Sequence, residues 1–188
     1  MKFILETERL ILRPWKMEDA ESLFKYASYP KVGPICGWTP HKDLEESRSV
    51  LQNILMVPET YAMVLKETGE AIGSISLMFG KGSIASVREG ECELGYWLAY
   101  PYWGTGLTPE AAKELLRHAF EDLNCSGVWC GHFEGNLQSR RVMEKCGFVY
   151  DHTTEAKYRA SMDSVGAGYV FYLSRENWLE NRFNNYNK

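Results

Sequence analysis

The sequence contains no apolar run approaching the roughly 20 residues needed to cross a bilayer, so no membrane-spanning segment is expected. Its opening, "MKFILETERLILRPW", lacks a long apolar stretch with a small-residue cleavage site, and so reads as no signal peptide. Positive charge is not in excess. The 21 Lys and Arg against 25 Asp and Glu leave a net charge of −4, which argues against a nucleic acid or an anionic membrane as partner. The five cysteines (Cys36, Cys92, Cys125, Cys130 and Cys146) form no C-x-x-C pair, and their odd number does not suit a disulfide framework. They read as reduced thiols of a cytoplasmic protein. The four histidines show no metal-ligand spacing, so no metal is expected. No repeat, low-complexity block or Pro/Gly/Ser linker divides the chain. Residues 1–188 therefore read as a single domain, with a polar tail at about 181–188 that frays.

What is present is an ordinary globular composition, 45% hydrophobic and 24% charged. "RLILRPW" alternates and reads as a strand. Met17 to Ala27 places Ala20, Leu23, Phe24 and Ala27 on one helical face. "SYPKVGPICGWTP" reads as loop, and Asp43 to Leu55 as a second helix. "TYAMVLKETGEAIGSISLM" is a hairpin around "ETGE", and "CELGYWLAY" is a strand stopped by Pro101. Pro109 to Leu123 carries the broadest apolar stripe: Ala111, Ala112, Leu115, Leu116, Ala119, Phe120 and Leu123. A strand "GVWCGHF", a helix Asn136 to Cys146, two strands and a short "RENWLENR" helix complete the order. This succession predicts an α+β domain, a mixed sheet with helices packed on it. The unit from Cys92 through the Pro109 helix to Phe133 reads as a parallel crossover, and ligands bind at the carboxyl ends of such strands.

That end of the crossover is where "YWGTGLTPEA" lies. Gly104 and Gly106 could make only a tight turn, or they could admit an anion to the free N–H groups of the following helix. Thr108 is expected as the N-cap, with Pro109 in the first turn. No lysine or arginine occurs between Leu98 and Ala112, so an anion here would rest on backbone amides. No Gly-Lys-Ser/Thr follows, and Pro109 stands where a dinucleotide fingerprint needs its third glycine. In "CELGYWLAY", alternation places Glu93, Gly95 and Trp97 on one face and Cys92, Leu94, Tyr96 and Leu98 on the other. In "EGNLQSRRVMEKCGF", Asn136 is a natural N-cap, Ser139 the third helical residue and Gly147 the stop.

"ELGYWLAYPYWGTGLTPEA" followed by "NLQSRRVMEKCGF" resembles the GNAT acetyltransferases, in particular the branch that acetylates ribosomal-protein N-termini, the RimJ/RimL type. "LETERLILRPWKMEDAESLF" and "GYVFYLSRENW" resemble the opening and close of that branch. The resemblance implies the GNAT fold: a central mixed, mostly antiparallel sheet with a splayed parallel strand pair and helices on both faces. It implies acetyl-CoA as acetyl donor, a primary amine as acceptor (a protein N-terminus or a small-molecule amine), and direct attack in a ternary complex. The pyrophosphate of coenzyme A would lie on Trp103, Gly104, Thr105, Gly106, Leu107 and Thr108. Trp103 and Thr108 depart from the family pattern, which has Gln or Arg and Ala or Gly there. Backbone groups of Leu98 and the side chain of Asn136 would meet the pantetheine arm. Arg140, Arg141 or Lys145 would meet the 3′-phosphate. Glu93 would be the general base, with Glu91 its competitor, and Ser139 the general acid. Each has a plainer structural alternative: Glu93 as an ion-paired strand glutamate, and Asn136 and Ser139 as capping residues. Acceptor walls are expected from "SYPKVGPICGWTPH" and "RASMDSVGAGY", with Tyr29, Trp38, Tyr158 and Tyr169 as candidates. Acidic "DLEESR" and "EGE" could attract a cationic amine. Family members are monomers or homodimers. A second reading, a non-catalytic acyl-CoA-binding sensor or regulatory module, uses the same fold and motifs.

Overall fold

A computed structural model describes residues 3–80, 84–159 and 163–186. The elements run β1 (Leu5–Glu6), β2 (Leu10–Pro14), α1 (Ala20–Ala27), α2 (Val32–Cys36), α3 (Leu44–Val50), β3 (Thr60–Leu65), β4 (Ala71–Phe79) and β5 (Glu91–Leu98). Then follow α4 (Leu107–Arg117), β6 (Gly127–Phe133), α5 (Leu137–Lys145), β7 (Val149–Thr153), β8 (Lys157–Arg159), β9 (Ser164–Gly166), β10 (Gly168–Ser174) and α6 (Arg175–Tyr186). One eight-stranded sheet has the order β1-β2-β3-β4-β5-β6-β10-β7, and β8 and β9 form a separate hairpin. Neighbours in the large sheet are antiparallel except β5 and β6, which are parallel. This is the GNAT arrangement that the motifs implied.

The alternation in the strands explains the two layers of helices. Leu10, Leu12, Met63 and Ile72 turn to one face, where the α4 stripe of Ala111, Ala112, Leu115, Leu116, Ala119 and Phe120 covers them. Ala62, Val64 and Ala71 turn to the other, against Ala20, Leu23 and Ala27 of α1 and Leu51 beyond α3. Each large side chain so buried contributes about 1.5–3 kcal/mol. Leu115 and Leu116 are at most 1% exposed and hold α4 at the angle that aims its first turn at the β5–β6 gap.

Some boundaries differ from the sequence reading. α4 begins at Leu107 with Gly106 as N-cap, so Thr108 is not the cap but the second helical residue, buried. Gly106 is left-handed (φ 84°) and its carbonyl already accepts from Glu110 N–H at 3.2 Å, which starts the helix two residues earlier. The segment expected as loop after α1 contains α2: Pro34 sits in its first turn, where no N–H is needed, and Gly37 (φ 91°) ends it. The tail expected to fray from residue 181 is helical to Tyr186. There Arg182 pairs with Glu121 and lies over the Trp178 ring.

At the end of α4 the fully buried His118 bridges two carboxylates, with Nδ1 at 2.8 Å from Asp122 and Nε2 at 3.0 Å from Glu59. Tyr61 donates to the same Glu59 oxygen at 2.7 Å. Removing the buried ring leaves a cavity and takes one partner from each carboxylate, Glu59 keeping Tyr61 and Asp122 keeping Arg117, so His118→Ala is expected to cost about 2–5 kcal/mol. Urea unfolding checks this; a loss under about 1 kcal/mol, the size of an ordinary surface pair, contradicts it.

Candidate active site

The ladder between β5 and β6 joins Glu91 to Gly127, Cys92 to Val128, Glu93 to Trp129 and Leu94 to Cys130, and there it ends. Both strands continue, to Leu98 and Phe133, without pairing to each other. A pocket of about 660 Å³ opens in this splay. It extends from Glu93 along β5 to Trp103, Gly104, Gly106, Leu107 and Thr108, with Cys130 to Phe133 on the β6 side and Asn136 and Ser139 at the start of α5. Of the residues expected to act on or hold the donor, Glu93, Ser139, Leu98, Asn136 and the loop from Trp103 to Thr108 line it, except Thr105. Thr105 turns its hydroxyl to Tyr102 O at 2.6 Å and is exposed.

The glycine loop has the geometry of an anion cradle. Gly104 and Gly106 are left-handed, at φ 79° and 84°. No atom stands within 4 Å of the position a Cβ on Gly104 would take. The N–H groups of Gly104, Gly106, Leu107 and Thr108 donate to no acceptor among the described residues, as the first turn of a helix requires. These donors, at the positive end of α4, suit a pyrophosphate. Trp103, which replaces a polar residue of the family pattern, donates its indole N–H to Leu98 O at 2.7 Å. A carbonyl has two lone pairs, so Leu98 O keeps one for a further donor. Arg141 and Lys145 reach the pocket rim from α5, whereas Arg140 pairs with Glu144 at 2.8 Å and does not line it.

The two carboxylates of the Glu91-x-Glu93 pair are separated by their partners. Glu91 accepts from Trp129 Nε1 at 2.6 Å, Tyr172 OH at 3.1 Å and Arg88 N–H at 3.3 Å, and it does not line the pocket. Glu93 does line it, 2% exposed, with Oε2 accepting from the N–H groups of Ile84 and Ala85 at 3.2 and 3.0 Å. The β alternation puts Tyr96 on the opposite face. Its hydroxyl lies 2.8 Å from Ser139 Oγ and also donates to Ser139 O at 3.2 Å. Burial pushes the Tyr96 phenol well above its ordinary range, so it stays protonated. Sequence reasoning missed this residue. Its place on the same strand face as Leu98 was the available signal, but its meeting with Ser139 depends on how α5 packs.

Asn136 caps α5 through Oδ1, which accepts from Ser139 N–H at 3.1 Å, and its Nδ2 donates to Ile35 O at 3.3 Å. That second bond fixes α2 across the pocket. Of the segments expected to wall the acceptor, "SYPKVGPICGWTPH" reaches the pocket through Ile35, Cys36 and Gly37 and not through its aromatics, and "RASMDSVGAGY" lies partly outside the described residues. Tyr29 stacks on Tyr100, Tyr169 on His132, and Trp38 borders a separate apolar hollow of about 210 Å³; none lines the main pocket. The side chain of Tyr158 lies outside the described residues. Ile35, Cys36, Ile84, Trp97 and Phe133 line the pocket instead. Ile84 packs into a slot between Gly131 and Gly168, where added Cβ atoms would come within 2.3 and 2.6 Å of it. Among the described residues no cluster of His, Cys, Asp or Glu could hold a metal ion, and no helix is long and apolar enough to cross a membrane.

The splayed parallel pair and the glycine-opened helix thus share one pocket, with free backbone N–H donors at its α4 end. The family profile described as the acetyltransferase (GNAT) domain matches residues 9–149, and the chain belongs to the GNAT acetyltransferase family. It is an acetyltransferase, and members of this family generally use acetyl-CoA as donor. Among its relatives is an uncharacterised N-acetyltransferase, p20, of Bacillus licheniformis, 30% identical over 149 residues (77% of this chain, 81% of that one). The FsC-acetyl coenzyme A-N(2)-transacetylase of Aspergillus fumigatus is 35% identical over 182 residues (93% and 77%). The ribosomal-protein-S5-alanine acetyltransferase of Vibrio fischeri shares the fold at a TM-score of 0.72 with 19% identity, covering 95% of this chain and 98% of that one.

Proposed function

We propose that this protein transfers an acetyl group from acetyl-CoA to the nitrogen of a primary amine by direct attack in a ternary complex. The observation that carries the reading is the continuity of one pocket from the left-handed glycines of α4 to the buried carboxylate of Glu93. Acetyl-CoA supplies the acetyl group as a thioester. The amides of the loop from Trp103 to Thr108 hold the phosphates, with Arg141 and Lys145 at the rim. Leu98 backbone and Asn136 Nδ2 meet the amides of the arm that enters the splay. Glu93, on one face of β5, takes the proton from the attacking amine. Ser139, steadied by Tyr96 on the other face, offers a proton to the departing sulfur. A thiol with a pKa of about 8.5 leaves without much help, so Ser139 contributes less than Glu93.

A cysteine acyl carrier is disfavoured by its surroundings. Burial pushes the Cys36 thiol up to about 12 and raises the Cys130 thiol as well, so both pocket cysteines stay protonated. An α-amine, with a pKa of about 7.7–8.0, is partly neutral at pH 7 and needs only a modest base. Two relatives carry names that specify an N(2) nitrogen and a ribosomal-protein alanine. An α-amine, on a peptide N-terminus or a small molecule, is therefore the favoured acceptor class. Thiol release from acetyl-CoA with a panel of peptide N-termini, amino acids, polyamines and aminoglycosides tests this. Release with α-amines first is the expected result. Tight acetyl-CoA binding in a thermal shift with no release from any amine would instead make the protein a sensor.

A further inference from the structure

We propose that Arg9 and Glu110 form a brace that fixes the glycine loop, which makes Arg9 a positioning residue for the phosphates of coenzyme A. The proposal rests on the acetyl-CoA reading. The loop has little of its own to hold it. Two of its residues are left-handed glycines, which lose the most freedom on ordering, and Gly106 offers α4 no side-chain cap. Its local bonds run back to the end of β5 and the turn after it: the Trp103 indole to Leu98 O at 2.7 Å, Trp103 N–H to Tyr100 O at 3.1 Å, and the Thr105 hydroxyl and N–H to Tyr102 O at 2.6 and 3.4 Å.

The remaining hold comes from the far end of the chain. Arg9, in the turn between β1 and β2, donates Nη1 to Thr105 O at 3.0 Å. Its Nη2 lies 3.6 Å from where a Cβ on Gly106 would stand, so the guanidinium lies alongside the loop. Glu110 fixes that guanidinium. Oε1 accepts from Arg9 N–H at 2.8 Å and Oε2 from Nε at 2.7 Å, with Nη2 also 2.7 Å from Oε2. Thr7 donates to Oε1 at 2.5 Å. Burial alone would raise the Glu110 carboxyl, but the bonds from Thr7 and Arg9 outweigh it and hold it below its ordinary value. Glu110 N–H closes the ring by donating to Gly106 O at 3.2 Å. Both ends of the Thr105–Gly106 pair are thus tied to one ion pair. The same ion pair brings a cation beside a loop that has no lysine or arginine of its own.

A planar fork makes these bonds and an ammonium cannot reproduce them. The test measures CoA affinity by calorimetry, and kcat/KM with acetyl-CoA and with acetylpantetheine, which lacks the phosphates. Arg9→Gln, Arg9→Lys and Glu110→Gln are compared with the unchanged protein. Each variant is expected to lose about tenfold in CoA affinity and about tenfold of the preference for acetyl-CoA over acetylpantetheine. Arg9→Lys retains the charge, so full recovery in that variant overturns the brace in favour of charge alone. An equal loss with both donors marks a purely structural role and overturns the proposal, as does no loss with either. If the unchanged protein binds no CoA, the donor reading falls and the proposal with it.

Discussion

Glu93→Gln is expected to lower kcat for an α-amine acceptor by about 100-fold or more at pH 7, because general-base assistance is worth 10²–10⁴. Acetyl-CoA affinity should not change. The substitution is suited to separate chemistry from scaffolding. Glu93 Oε2 anchors the N–H groups of Ile84 and Ala85. A glutamine keeps a carbonyl oxygen that can accept both bonds, and it loses only the capacity to take a proton. The pH profile carries the sign. With Glu93 present, proton removal assists the amine below its own pKa. Without it, the rate should follow the neutral fraction of the amine and climb until about pH 8, the pKa of an α-amine. The deficit should therefore shrink as pH rises. An enzyme that keeps full kcat at every pH would leave Glu93 as the anchor of the Ile84 loop and nothing more.

The contrast between Glu93 and Glu91 shows how far the sequence could be read. Alternation in β5 gave both the same face, and it could not choose between them. The choice lies in Trp129, Tyr172 and Arg88, which engage Glu91, and these come from two other strands and a loop. The features that were legible were local. The stripe of α4, the alternation in β2 to β5, Asn136 as cap and Gly147 as stop each follow from neighbours a few residues away. The features that were missed join distant segments. Tyr96 meets Ser139 only because α5 crosses the splay. Arg9 reaches Thr105 from the turn between β1 and β2, at the edge of the sheet and 96 residues away in the chain. The segment from Ser28 to His41 reaches the pocket as expected, through Ile35 and Cys36, but its aromatics do not, for the same reason. Tyr29 is taken up by Tyr100 and Tyr169 by His132, whereas Ile84 has room made for it by two glycines on β6 and β10. Thr108 was misplaced for a local reason: a left-handed glycine at Gly106 replaces a side-chain cap, and Thr-Pro resembles a cap in sequence.

Gly104→Ala and Gly106→Ala are expected to weaken CoA binding by about 100-fold, the loss of one to two charge-assisted hydrogen bonds at about 1.5–3 kcal/mol each. Two effects combine in these variants, and they can be separated. A left-handed residue with a side chain costs about 1–2 kcal/mol in stability wherever it occurs. Gly69, in the turn between β3 and β4, has φ 71° and nothing within 4 Å of its Cβ position, the same circumstances as Gly104 at φ 79°. Gly69→Ala should thus lower the melting temperature as much as Gly104→Ala does, yet leave CoA affinity untouched. The difference between the two isolates the methyl group standing where the amides of Gly104 and Gly106 would receive the phosphates. Gly106→Ala adds a contact with Arg9 at 3.6 Å, an ordinary distance, so it should not exceed Gly104→Ala in lost stability. If Gly104→Ala melts like Gly69→Ala and still binds CoA like the unchanged protein, these glycines make only a turn, and the phosphates must be held elsewhere, with Arg141 and Lys145 the first place to look.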